Sequence, residues 1–111
     1  MSKYYNKKII VDGVEFDSKN EANRYVELKL LEHTGHIKDL ELQVPFLLQP
    51  SFKKNGKTIR AIRYIADFVY FDNDLKQTVV EDVKGYRTEV YKLKKKLFEY
   101  NYPDLVIVEV F

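Results

Sequence analysis

Asp67, Asp82 and Lys84 are charged residues set into two otherwise apolar runs, YIADFVY and TVVEDVK, and their types and spacing point to one kind of chemistry. The runs flank FDNDLK and read as the strands of a β-hairpin. Antiparallel partners keep a constant sum of residue numbers. A two-residue turn at Asn73-Asp74 sets Asp67 opposite Val80, and a loop over Asp72 to Lys76 sets it opposite Glu81. In either register Asp67 lies within about two positions of Asp82, close enough for the two carboxylates to converge. Asp82 and Lys84 are two apart on a strand and project from the same face, whereas Glu81 points to the opposite one as an exposed or paired carboxylate. Carboxylates held together repel unless a cation sits between them, and hard oxygen ligands suit Mg²⁺ or Mn²⁺. A lysine beside such a site can stabilise the charge of a pentacovalent phosphorane, or orient and deprotonate a water. The pattern therefore fits metal-assisted phosphodiester hydrolysis. An ordinary ion pair on an exposed strand is the alternative for Asp82 and Lys84. Asp67 is harder to explain structurally, because a buried unpaired carboxylate costs several kcal/mol.

These residues need elements to hold them. KKIIVDGVEF alternates around Asp12-Gly13 and predicts strands Lys7 to Val11 and Val14 to Phe16. Ser18, with Glu21 three residues later, opens a helix that Gly35 stops, and Ala22, Tyr25, Val26 and Leu28 to Leu31 give it a broad apolar face. Glu21 thus has a capping role open to it, which competes with chemistry only if its side chain must turn back to the Ser18 amide. HIKDLELQVPFLLQP is extended, with Pro45 and Pro50 arguing against a long central strand. SFKKNGKTIR reads as a basic turn or loop around Asn55-Gly56. The central hairpin follows as strands Arg60 to Phe71 and Gln77 to Lys84. A second helix carries Val90, Leu93, Leu97 and Tyr100 at helical spacing, with Lys92, Lys95, Lys96 and Glu99 outside, and Pro103 ends it before the final apolar strand DLVIVEVF. The order predicts an α/β or α+β fold, a mixed sheet flanked by two helices. Its 111 residues suit one domain, without repeats or linkers.

Composition bounds the function further. There is no cysteine, which excludes disulfides, thiolate zinc sites and cysteine nucleophiles. No stretch has signal-peptide or membrane-spanning character, so the expectation is a soluble protein of the cytoplasm. Net charge is only +2, but Ser51 to Arg63 and Lys84 to Lys96 together carry +10, leaving −8 for the rest of the chain. Such asymmetry is the footprint of a phosphate-binding face, and it singles out Lys53, Lys54, Lys57, Arg60, Arg87, Lys92, Lys95 and Lys96 as nucleic-acid contacts. Lysines that merely solvate a loop and a helix face are the plainer alternative. Tyr86 and Tyr91 lie in the second segment and could reach a sugar or base. His33 and His36 read as surface residues, and there is neither a Gly-rich phosphate loop nor a nucleophile elbow.

Asp67, fourteen intervening residues and then Asp82-Val83-Lys84 resemble the PD-(D/E)XK nuclease signature. FDSKNEANRY, YIADFVY, VVEDVKG and YKLKKKLFEYNYP resemble, more closely, short phage-encoded endonuclease-like proteins of that superfamily, grouped as a domain of unknown function and similar to junction resolvases. The likeness runs from about Lys7 to the C-terminus, with Ala66 where the motif's proline is expected. It implies a restriction-endonuclease-like core and Mg²⁺- or Mn²⁺-dependent DNA cleavage, with Asp67, Asp82 and the Val83 carbonyl holding the metal. Glu21 would complete the site or bind a second ion, and Lys84 would position the attacking water. It also implies a branched DNA substrate, such as a Holliday junction in phage replication or recombination, a homodimer, and the host cytoplasm. Two other classes stay open: a non-catalytic DNA-binding recombination accessory that keeps the fold, and a protein-interaction factor with an acidic partner.

Overall fold

The computed structural model describes residues 8–84 and 86–111. Lys7 and Gly85, expected in the first strand and at the end of the central hairpin, lie outside them. In chain order the elements are β1 (Ile9–Val11), β2 (Val14–Phe16), α1 (Lys19–His33), β3 (Ile37–Gln49), β4 (Phe52–Lys54), β5 (Lys57–Ile59), β6 (Ile62–Asp72), β7 (Gln77–Val83), α2 (Glu89–Asn101) and β8 (Ile107–Val110). The architecture is α+β. A mixed sheet of order β3-β6-β7-β8 has β3, β6 and β7 antiparallel in turn, while β8 lies parallel to β7. Parallel neighbours need a crossover, and α2 supplies it. No helix among the described residues is long and apolar enough to cross a membrane.

Each face of the sheet has its own core. Ala22, Tyr25 and Leu28 of α1 pack with Phe16, Ile37, Phe68, Tyr70 and Val79, while Tyr91 and Phe98 of α2 pack with Leu48, Tyr64, Ala66, Val80 and Ile107. Consecutive residues Val79 and Val80 belong to different cores, as a strand between two layers requires. β3 and β6 break this alternation at one shared point. Leu40 and Leu42 serve the α1 core but Phe46 and Leu48 the α2 core, and likewise Phe68 and Tyr70 against Tyr64 and Ala66. All eight positions are even, so both strands exchange faces between them. The exchange falls at Gln43 and Asp67, which drop out of the ladder between the pairs Leu42↔Phe68 and Val44↔Ala66. Gln43 takes φ of +53°, a left-handed turn of the backbone that swings the following side chains to the other side.

Other departures from expectation have local causes. β3 is long, yet it is the sheet's edge, where the missing amide of Pro45 costs little. The basic segment is a hairpin, β4–β5, turned by Asn55 and Gly56, both at positive φ. The central hairpin has a four-residue loop, Asn73 to Lys76, between the paired residues Asp72 and Gln77, so its register differs from both expected ones. Asp72 Oδ1 accepts the amides of Asp74 and Leu75 at 2.9 Å each, and Lys76 returns its amide to the Asp72 carbonyl at 2.8 Å with φ of +59°.

The helices are narrower inside than their composition suggests. Val26 and Leu30 of α1 are exposed. On α2 the buried line is Tyr91 and Phe98, with Leu97 half-buried, whereas Val90, Leu93 and Tyr100 stand 63%, 56% and 82% exposed. Aromatic packing selects this line: Phe98 meets Phe46 and Tyr64 edge-on at centroid distances of 5.0 and 5.5 Å.

Candidate active site

The exchange of faces determines what Asp67 can do. The β6–β7 ladder begins at Phe68↔Glu81, and carried one step further that register sets Asp67 opposite Asp82. Because Asp67 is out of the ladder, its carboxylate takes over a backbone bond: Oδ2 accepts the Val83 amide at 2.8 Å. Gln43 Nε2 approaches the other oxygen, Oδ1, at 3.4 Å. The acid is thereby fixed at the end of β7, beside Asp82 and the Val83 peptide.

Asp82 is buried and faces the α2 side. Its Oδ2 accepts the hydroxyl of buried Tyr64. Lys84 Nζ lies 2.8 Å from its Oδ1, an ion pair, but the approach is too oblique for a hydrogen bond, so Oδ1 is a buried oxygen with an unspent acceptor. Burial pushes the Asp82 carboxyl up; the Lys84 ammonium and the Tyr64 hydroxyl oppose this, and the charge of Asp67 adds to it. Tyr64 is in turn held protonated by burial and by its bond to Asp82.

Lys84 sits just past β7, its amide bonded to the Val110 carbonyl at 2.7 Å, so β8 fixes its backbone. Its ammonium lies 3.9 Å from the centroid of the Tyr91 ring, an additional cation–π restraint. Tyr91 donates to Glu109 Oε2 at 2.8 Å. Arg87 and Lys95 meet Glu109 at 3.0 and 3.6 Å, and with the Tyr91 bond they hold its carboxyl below the usual range. Tyr91 is therefore a buried support beneath Lys84, whereas Tyr86 is exposed.

Glu21 comes from the first turn of α1. Ser18 Oγ accepts the Glu21 amide at 3.1 Å, so the cap uses the backbone of Glu21 and leaves its carboxylate free to face Asp67. Burial and then the charge of Asp67 raise the Glu21 carboxyl to about 7. Asp67 therefore acts on both other acids, and the three come from α1, β6 and β7. No group of three or more His, Cys, Asp or Glu among the described residues is closed around a single point. His36 instead pairs with Asp74 at 3.0 Å in the hairpin loop.

Glu81 points away from Asp82, as its strand position required, but it is far from idle. It is 1% exposed, its carboxylate receives Arg24 Nε at 2.8 Å and Nη2 at 2.7 Å, and it accepts the Tyr70 hydroxyl. This fork clamps α1 onto β7 one helical turn beyond Glu21. Tyr64, Gln43 and Arg24 thus support the site without having been singled out as functional from the sequence, and Tyr91, read there as able to reach a sugar or base, is buried beneath Lys84 instead.

The basic residues divide by whether an acid answers them. Arg87 and Lys95 are spent on Glu109, and Lys92 pairs with Glu89 at 3.1 Å, whereas exposed Lys96 of the same helix makes no ion pair among the described residues. Lys53, Lys54, Lys57 and Arg60 are exposed on and beside the β4–β5 hairpin, with no ion pair among the described residues.

The profile of the family described as Protein of unknown function (DUF1064) matches residues 1–110, and the chain belongs to that family. No curated protein and no solved structure matches it.

Proposed function

We propose that this DUF1064 member is a metal-dependent endodeoxyribonuclease of the PD-(D/E)XK type, with Asp67, Asp82 and Glu21 as its acids and Lys84 as its lysine. The observation that carries the reading is geometric: Asp67 takes the Val83 amide at 2.8 Å and is thereby held at the end of β7, where buried Asp82 pairs with Lys84 at 2.8 Å, with the Glu21 carboxyl close enough to feel the charge of Asp67. An all-oxygen donor set suits Mg²⁺ or Mn²⁺, and buried Asp82 Oδ1, paired with Lys84, accepts no hydrogen bond among the described residues. Asp67, Asp82 and the Val83 carbonyl would hold the ion, with Glu21 completing the set. Once bound, the ion supplies Lewis-acid stabilisation of charge on the scissile phosphate.

The remaining roles fall to the chain. Lys84, released from Asp82, orients the attacking water at Nζ, and the Tyr91 ring keeps its ammonium from swinging away. Tyr64 holds Asp82 in one rotamer through Oδ2, leaving Oδ1 for ligation. Branched DNA, a Holliday junction above all, is the substrate we infer from the likeness to junction resolvases; a homodimer would cut two strands, and the host cytoplasm is where a phage-encoded enzyme would act. The exposed Val90, Leu93 and Tyr100 of α2 support pairing of two copies.

The test is incubation of labelled duplex, flap and four-way-junction DNA with Mg²⁺ or Mn²⁺. We expect cleavage by the wild type, and loss of cleavage with retained DNA binding in Asp67→Asn and Lys84→Ala. Full cleavage by both variants would sink the assignment. A non-catalytic DNA-binding accessory is the second reading, favoured by the absence of a closed ligand cluster among the described residues. For that reading Asp82→Asn keeps biological function, and charge removal at Lys94 to Lys96 destroys it.

A further inference from the structure

The β4–β5 hairpin contributes nothing to either core. Every residue from Pro50 to Arg60 is exposed, including both strands in full. A two-stranded hairpin without a packed face is marginally stable in water. This one also bears an internal cost: Lys54 and Lys57 are direct cross-strand partners, and like charges so placed repel. No acidic residue occurs between Glu41 and Asp67 to relieve them. Two residues back along each strand, on the same ribbon face, Phe52 pairs with Ile59, both exposed.

One ribbon face therefore carries an exposed apolar pair at its base and an uncompensated lysine pair at its tip. Such a surface matches a partner that is anionic at its rims and apolar between them. The hairpin also leaves the sheet between β3 and β6, the strands that hold Gln43 and Asp67. From Ile62 to Asp67 the strand rises about 17 Å, and the hairpin's three-residue strands add about 10 Å. Between them, Leu47 and Ile65 are exposed on the two strands, and Arg63 faces Leu47. A partner touching both the tip and Asp67 is thus an extended polyanion, on the order of eight base pairs of duplex. A small anion cannot span that length. The major groove admits a two-stranded ribbon, whereas the minor groove is about half as wide.

We propose that β4–β5 is an arm that enters the major groove of duplex DNA, with Lys54 and Lys57 on the flanking phosphates and Phe52–Ile59 against the base edges. The proposal rests on the nuclease reading only for the choice of DNA as partner. Binding is measured by anisotropy on a labelled linear duplex in EDTA, so that cleavage plays no part. In Lys54→Ala/Lys57→Ala the slope of log affinity against log salt should fall by about 1.8, the value for two phosphate contacts. Wild-type affinity should drop on the same duplex carrying glucosylated 5-hydroxymethylcytosine, which fills the major groove, and should be insensitive to netropsin, a minor-groove binder. The double variant should melt within about 3 °C of wild type, since the arm buries nothing. An unchanged salt slope, or loss of binding in netropsin with undiminished affinity for the glucosylated duplex, would overturn the arm; an acidic protein partner predicts the first of these. Arm-dependent binding without cleavage of any substrate would leave the arm standing and remove the nuclease.

Discussion

Glu21 is where capping and chemistry share one residue without conflict, because the cap takes its amide and the site its carboxylate. Its carboxyl titrates near 7 in the folded chain against 4.5 ordinarily. The folded state therefore holds a proton that the unfolded chain has lost, and this contribution to stability is complete below pH 4.5 and disappears as pH rises through 7. Glu21→Gln should melt with the wild type near pH 4.5 and be more stable at pH 8 by on the order of 1–2 kcal/mol, allowing for partial solvation. Melting curves of both proteins across that range check the sign; a variant less stable at pH 8 contradicts it. Glu81 makes an opposite prediction. Arg24→Ala leaves a carboxylate that is 1% exposed with only Tyr70 to answer it, and should cost about 3–5 kcal/mol by denaturant unfolding. Strand alternation alone put Glu81 off the Asp82 face, as an exposed or paired carboxylate. Its depth and its partner were not legible there, because Arg24 lies 57 residues away in the chain.

At the scale of elements, α2 carries the clearest lesson. Val90, Leu93, Leu97 and Tyr100 form a helical stripe as regular as the one that is buried, so periodicity alone could not choose between them. The choice went to the line whose aromatic rings fit among Phe46, Tyr64 and Tyr102. Phe98→Ala should accordingly cost about 3–5 kcal/mol, while Leu93→Ala should change stability by no more than about 0.5 kcal/mol. Equal losses by denaturant unfolding would return Leu93 to the core. The paired irregularity of β3 and β6 was equally hidden. Nothing local distinguishes Gln43 from the residues around it, and its positive φ follows from two strands changing faces together.

For the whole molecule, the proposed site is a junction of α1, β6 and β7, closed by β8 behind Lys84. An ion bound there ties these elements together, and binding to the folded state alone stabilises by about 2.7 kcal/mol at a hundredfold excess over Kd. Mg²⁺ should therefore raise the melting temperature of the wild type and not that of Asp67→Asn. A shift of the same size in both proteins would place the ion elsewhere. The basic charge also redistributes in three dimensions: Arg87, Lys92 and Lys95 are answered by Glu109 and Glu89, while Lys94 and Lys96 of α2 and the lysines of the β4–β5 arm make no ion pair among the described residues.

By itself the sequence determined the order of the two helices and the sheet strands, the hairpin turn at Asp12-Gly13, a turn at Asn55-Gly56, the Ser18 cap, and the placement of Asp82 and Lys84 on one strand face. All of these are settled within a few residues by backbone preference and two-residue alternation. Only the tertiary structure decided that Asp67 leaves its ladder to hold the Val83 amide, that Tyr64 and Tyr91 stand behind Asp82 and Lys84, and that Glu81 locks to Arg24. Those outcomes depend on which distant surfaces fill one another's space and on where a buried charge finds its counter-charge, and neither is encoded in local spacing.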